Sequence, residues 1–385
     1  MTSPIVDTAN YSNKVAFVGV GTTNRYGTIP ELDAFGMAAQ AFRNALDDAG
    51  LTKEDIDGLI VGTGTGQPTP YDQMTNMLGL HPRVALPYTN SGRLSGPSVT
   101  LMASLVASGA CNTLAFIYTN NARTARVRFG GGDEQTSAIN AAYGYTSPGA
   151  AAAMHMQRYM HYFGGTEEKL GAIAVAERKH AQMNPMAVMK DRPLSIEDYL
   201  NGRYIAQPLR IFDYCIINDA AIVLIMTTAD RAKDLKKPPV YLAGTGWRSG
   251  YSHYRFDDEW LYPAYSNVAR QAFGMAGLSN SDVDVLSYYD AFSAFLPFML
   301  EGFGFCGQGE ALDFIQGGRI EVGGELPVNT SGGHLSETYV QGRGILAENI
   351  RQLRGECGPR QVQGAQVAMF MGTTPDASAY ILRRD

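Results

Sequence analysis

Residues 15–21, VAFVGVG, are written again at 240–246 as VYLAGTG, and residues 49–57, AGLTKEDID, return at 276–284 as AGLSNSDVD. The first member of each pair is an apolar run of strand length that closes on Gly-x-Gly. The second puts a glycine helix stop before Thr52 or Ser279, with Asp55 or Asp282 three residues on, the pattern of a short capped turn. Between the first two, residues 31–49 carry apolar side chains at helical spacing. Two matches in the same order at nearly equal offsets imply a duplicated unit of strand, long helix, turn and strand. The 385 residues are therefore expected to form an α/β protein of two similar halves, 1–232 and 233–385, joined at KDLKKPP (233–239).

Within the first half, PSVTLMASLVASG (97–109) opens on proline and is apolar or small on every side, which predicts a buried helix. It feeds the strand-like TLAFIY (113–118), and AAIVLIM (220–226) reads as a further buried strand. Residues 120–213, with the glycine run Gly130–Gly132, read as an insertion over this core. QVAMFM (366–371) and AYIL (379–382) are the expected last strands.

Composition narrows the function. A net charge of −6 from 31 basic and 37 acidic residues lacks the clustered cations that phosphate contacts need, so nucleic acid is not an expected partner. Cys111, Cys215, Cys306 and Cys357 are far apart and suit reduced thiols, hence a cytoplasmic setting. The N-terminal residues have no basic and apolar leader, and no apolar run approaches the length of a bilayer span. No metal is expected, because the six histidines form no ligand cluster. Gly19-Val-Gly21 lacks the third glycine of a dinucleotide fingerprint, and neither a P-loop nor a nucleophile elbow occurs. No tightly bound cofactor is implied.

Two segments of the second half carry the chemistry: SYYDAF (287–292), at a strand end, and NTSGGHLSETYVQGRG (329–344), a glycine pair before what reads as a helix start. Paired glycines admit close approach of backbone to ligand, and exposed N–H groups there hold an anionic oxygen. Each segment holds a tyrosine, Tyr289 and Tyr339.

Together with the duplication, the buried helix, KHAQMNP (179–185), RYIAQPLRIFDYC…DAA (203–221) and GFGFCGQGE (302–310), these segments resemble the thiolase superfamily, and within it the sterol-carrier-protein and lipid-transfer branch. The resemblance runs over nearly the whole chain. It implies the duplicated, five-layered αβαβα fold and a homodimer. The family's acylated cysteine belongs in the turn Asn90–Gly96, where no cysteine stands, and Cys111 lies past the far end of the helix. Its histidine of N-P-S-G-G-x-x-S-x-G-H-P falls on Tyr339, that of H-D-C-F on Tyr289, and its second cysteine on the loop Met371–Thr373.

Claisen chemistry through an acyl-cysteine therefore has neither nucleophile nor imidazole. Tyrosine at both histidine positions resembles the thiolase-like aldolases of bacterial steroid side-chain degradation. That subgroup implies retro-aldol cleavage of a 17-hydroxysteroid β-hydroxyacyl-CoA to a 17-ketosteroid and propionyl-CoA, with coenzyme A entering only as part of the substrate. It also implies a small OB-fold and zinc-ribbon partner in an α2β2 heterotetramer. On this reading Tyr339 is the base for the hydroxyl and Tyr289 the donor to the enolate, although the roles are interchangeable. A phenol suits an alcohol substrate, but only about one part in a thousand is ionised at neutral pH, so a neighbouring group has to help. Gly92, Gly96, Gly333 and Gly372 are candidates for the thioester-oxygen site, His334 is the rival base, and Asp290 reads as structural. Two alternatives stand beside this: a lyase for another branched or bile-acid β-hydroxyacyl-CoA, and a non-catalytic acyl-CoA or lipid-binding subunit.

Overall fold

The computed structural model describes residues 10–89, 92–127, 142–145, 147–249, 262–373 and 376–384. The glycine run Gly130–Gly132, and Asn90 and Ser91 of the turn before the buried helix, lie outside the described residues.

The strands are β1 (Val15–Thr22), β2 (Gly58–Thr63), β3 (Val84–Tyr88), β4 (Thr113–Asn121), β5 (Tyr204–Ala206), β6 (Leu209–Arg210), β7 (Asp219–Thr228), β8 (Val240–Arg248), β9 (Val285–Tyr288), β10 (Val367–Gly372) and β11 (Ala377–Arg383). Nine of them form one mixed sheet in the order β3-β2-β4-β7-β1-β8-β11-β10-β9, and β5 and β6 form a separate hairpin. The duplication is written into that order. β2-β4-β7-β1 has a parallel pair followed by two antiparallel ones, and β9-β10-β11-β8 repeats the pattern. The halves meet where β1 pairs with β8 over Ala16–Tyr241 and Phe17–Val240.

Side-chain alternation along β1 explains the layering. Val15 and Phe17 enter the main core, whereas Ala16 and Val18 face a second core under the helix Ala34–Ala49. That helix covers β1, β7 and β4 from outside, and Tyr262–Ala276 covers β8 and β11 in the same way. The helices Ser95–Ala107 and Arg343–Arg354 touch strands of both halves, which makes them the middle layer of an αβαβα stack. The repeated Gly-x-Gly serves the outer layers. A Cβ at Gly21 would lie 2.1 Å from the Ala41 carbonyl oxygen, and one at Gly244 equally close to that of Ala272, so both helices sit directly on their strands. Thr52 with Asp55 and Ser279 with Asp282 form matching capping boxes.

The structure shifts two expected elements. The buried helix begins at Ser95, so Pro97 stands inside its first turn rather than at its first position. After the glycine pair the chain makes a single wide turn, Gly333–Glu337, and regular helix waits until Arg343. The cause is local. Asp290 draws the N–H groups of His334 and Leu335 onto one oxygen, and Asn218 and Asn120 then hold the Tyr339 N–H and carbonyl in an extended path.

Candidate active site

Tyr289 stands just past the end of β9, where its N–H donates to the Met371 carbonyl of β10. Tyr339 lies in the loop leading to the helix Arg343–Arg354, with its backbone clamped by Asn218 and Asn120 at 2.6 and 3.0 Å. The two phenols, fifty positions apart in sequence, meet hydroxyl to hydroxyl at 3.0 Å. Tyr289 is buried and Tyr339 half-buried, so Tyr339 is the more open of the two.

Gly92 explains why Tyr289 fits. A Cβ there would lie 1.8 Å from the Tyr289 hydroxyl, so the phenol occupies the volume that any side chain at 92 would fill. Burial raises both phenols well above the ordinary value. For Tyr289 the hydrogen bond from Tyr339 and the nearby Arg343 pull the other way.

The wide turn under the pair is held by buried acids. Glu177, from the helix Glu167–Gln182, and Asp290 lie beneath Gly333, where a Cβ would be 2.1 Å from Asp290 Oδ2 and 2.7 Å from Glu177 Oε2. Burial and the neighbouring Asp290 charge push Glu177 well up. Burial works the same way on Asp290, but His334, Glu177 and the Leu335 N–H outweigh it and hold Asp290 below the usual range. His334 is fully buried between the two tyrosine rings, 5.1 and 5.2 Å from their centres. Its Nε2 accepts the Gly342 N–H at 2.8 Å, and its Nδ1 lies 2.8 Å from Asp290 Oδ1. The Nε2 lone pair is taken by the Gly342 N–H, whereas the close approach of Nδ1 to Asp290 is not aligned as a hydrogen bond, and the ring packs edge-on against both tyrosines.

Two of the four candidate glycines converge. A Cβ at Gly96 would lie 2.4 Å, and one at Gly372 2.2 Å, from the hydroxyl of Ser378, which is buried and has no hydrogen-bond partner among the described residues. Ser95 and Thr373 carry further buried hydroxyls in the same state. Gly96 belongs to the first turn of the buried helix, whose N–H groups have no intrahelical acceptor. Gly333 is different, since its N–H donates to Ser331 Oγ at 3.3 Å and its missing side chain makes room for the acids.

The insertion holds these loops. Asp213 accepts from Ser293 and Tyr199, Cys215 donates its N–H to Ala291, Ile216 to His334, and Asn184 grips Ser331 and Glu337. Cys215 also sits close enough to act electrostatically on both phenols, but burial and Asp290 push its thiol up to about 12, so it is no nucleophile. Sequence reasoning placed Cys215 among ordinary thiols and gave Arg343, Asn120 and Asn218 no role. Only the RIFDYCIINDAA segment hinted at some of them. Among the described residues no cluster of His, Cys, Asp or Glu is placed to hold a metal, and no helix is long and apolar enough to cross a membrane.

The family model described as "Thiolase C-terminal domain-like" matches residues 248–383. The chain is 35% identical to 17-hydroxy-3-oxo-4-pregnene-20-carboxyl-CoA lyase of Mycobacterium tuberculosis, covering 96% of this chain and 99% of that protein. It is 33% identical to the steroid side-chain-cleaving aldolase of Thermomonospora curvata, with 96% and 98% covered. Among solved structures, "Ltp2-ChsH2(DUF35) aldolase" superposes with a TM-score of 0.88 at 31% identity over 98% of this chain and 99% of that one. With that likeness running end to end through a duplicated thiolase fold whose site presents paired tyrosines, the chain belongs to the thiolase-like family of steroid side-chain-cleaving aldolases.

Proposed function

We propose that the protein cleaves the side chain of a 17-hydroxysteroid β-hydroxyacyl-CoA by retro-aldol chemistry, leaving a 17-ketosteroid and releasing propionyl-CoA. The observation that carries the reading is the 3.0 Å contact between the Tyr289 and Tyr339 hydroxyls in a site with no thiol nucleophile. The names of the relatives support the substrate class.

In the reaction Tyr339, the more open phenol, takes the proton of the β-hydroxyl as its phenolate, while Tyr289 steadies that phenolate by hydrogen bonding. The bond between the α and β carbons breaks, the carbon–oxygen bond becomes the ketone, and the electron pair moves into a thioester enolate. N–H groups at Gly92 and Gly96, with the Ser378 hydroxyl between Gly96 and Gly372, supply donors for the enolate oxygen. The proton held by the tyrosine pair then passes to the α carbon. No covalent enzyme intermediate and no cofactor enter this scheme, since coenzyme A arrives and leaves within substrate and product. The solved relative's two-protein name supports a partner protein, and we take it to be a small OB-fold and zinc-ribbon chain in an α2β2 assembly.

The test is direct. Y289F and Y339F should each keep the wild-type melting temperature and lose about 10²–10⁴-fold in turnover. The assay follows ketone and short acyl-CoA by mass, with and without the partner, over steroid and bile-acid thioesters. Turnover near wild type in both variants would overturn the assignment.

A further inference from the structure

We propose that Arg343 is the positive charge that allows the Tyr289–Tyr339 pair to give up a proton, a positioning residue for the proton transfer and not a group that meets the substrate. This rests on the retro-aldol reading of the same site.

Arg343 is 1% exposed and lies four residues beyond Tyr339. Its guanidinium carbon is 5.1 Å from the ring centre of Phe116, 5.3 Å from Tyr118 and 5.7 Å from Tyr88. One nitrogen, Nη1, donates to the Gln341 carbonyl, while Nε and Nη2 have no partner among the described residues. The residue just before it, Gly342, packs against the Tyr289 ring and gives its N–H to His334.

Everything about this placement is unfavourable for a cation taken alone. Burial of an unpaired ion costs several kcal/mol. Arg343 is also the first residue of the helix Arg343–Arg354, where the helix dipole is positive. Two other buried arginines of the same region are paired, Arg354 with Asp48 and Arg360 with Glu348, each within 3 Å, and Arg178 at least donates from Nε to Ser336 and from Nη1 to the Arg192 carbonyl. No carboxylate is paired with Arg343 among the described residues. What surrounds it is a set of phenols, and Tyr88, Tyr118, Tyr289, Tyr339 and Tyr380 all feel its charge.

The missing counter-ion is therefore one that forms during turnover. A phenolate shared by Tyr289 and Tyr339 completes the ion pair, so the charge favours the ionised pair over the neutral one. Arginine suits this better than lysine because its flat, weakly hydrated head stacks on aromatic faces and stays charged when buried. The other groups facing the pair are Asp290, held below the usual carboxylate range, Glu177, pushed well up by burial, Cys215, up at about 12, and His334, which accepts the Gly342 N–H and lies beside Asp290. Asp376 acts on Tyr88 and lies 4.0 Å from Arg93 Nε.

The experiment compares R343M and R343K with the wild type in two ways. Kinetics as a function of pH, on the steroid β-hydroxyacyl-CoA, should show R343M down by about tenfold or more in kcat/KM at neutral pH. The gap should narrow as pH rises, with kcat affected more than KM, and R343K should regain most of the loss. Ultraviolet titration of the substrate-free protein, read as the difference from the same protein carrying Y289F so that the exposed tyrosines cancel, should show the phenolate of the pair appearing at higher pH in R343M than in the wild type. R343Q carries the same test if R343M does not fold. A folded charge-removing variant with unchanged pH dependence and unchanged titration overturns the inference. So does an R343K no better than R343M. If instead Y289F and Y339F turn over normally, it is the aldolase reading that fails, and the titration still decides the role of Arg343.

Discussion

At Gly92 one methyl group decides where a phenol stands. The hydroxyl of Tyr289 lies where a Cβ would be, so G92A has to push the ring away from Tyr339 and break the 3.0 Å contact. Overpacking of this kind costs about 1–3 kcal/mol in stability. A displacement near 1 Å at a reacting centre costs about 10²-fold in rate. G92A is therefore expected to fold, with a modestly lower melting temperature, and to lose turnover far out of proportion; kinetics beside thermal melting check both. The same pair dictates a pH profile. Burial keeps both phenols protonated at neutral pH, so the ionised form that accepts the hydroxyl proton grows as pH rises. For the wild type, kcat/KM should climb about tenfold per pH unit across the neutral range and level off, without a fall, where the pair itself ionises. A flat profile would point to another base.

The wide turn Gly333–Glu337 is the element on which the site rests, and the sequence misleads about its purpose. A glycine pair before a helix reads as a cradle for a ligand oxygen. The structure uses Gly333 to admit the buried Asp290 and Glu177, and its N–H is already taken. Nothing local could reveal this, because the acids come from positions 177 and 290. Glu337 closes the turn. Burial, and then the charge of Glu348, push it up to about 7, from an ordinary value near 4.5. A carboxyl raised in the fold holds a proton that the unfolded chain releases, so its contribution is complete below about pH 4.5 and is lost as pH rises through about 7. E337Q keeps the acceptor for Asn184, at 3.0 Å, without the charge. It should be more stable than wild type at neutral pH, by roughly 1–3 kcal/mol, and should match it in mild acid. Denaturant unfolding at two pH values checks this.

Across the whole molecule, what was legible in the sequence is what recurs locally. Gly-x-Gly ending a strand and the capped turn after a glycine stop are contact rules between near neighbours, so their repetition announced the duplicated sheet before any coordinates. Tyr289 and Tyr339 were legible only against the family's pattern. Arg343 and Cys215 were not, because their meaning lies in burial and in partners far away along the chain. A molecule with so many buried phenols also has a characteristic weakness. Burial raises Tyr118, Tyr159, Tyr199, Tyr288 and Tyr380 along with Tyr289 and Tyr339. Their unfolded forms ionise near pH 10 while the folded ones do not, so the stability they allow is present below that pH and falls above it. Melting temperature should drop steeply beyond about pH 10, together with the appearance of phenolate absorbance; loss of structure without phenolate would contradict this. Finally, both tyrosines of the candidate site come from the second half of the duplication, while Gly92, Tyr118, Asn120 and Asn218 come from the first. On the proposed mechanism one copy supplies the reagent and the other its mould. A substitution in the mould, G92A above all, then acts by moving the phenols, while one in the reagent removes them, so either half can disable the pair by itself.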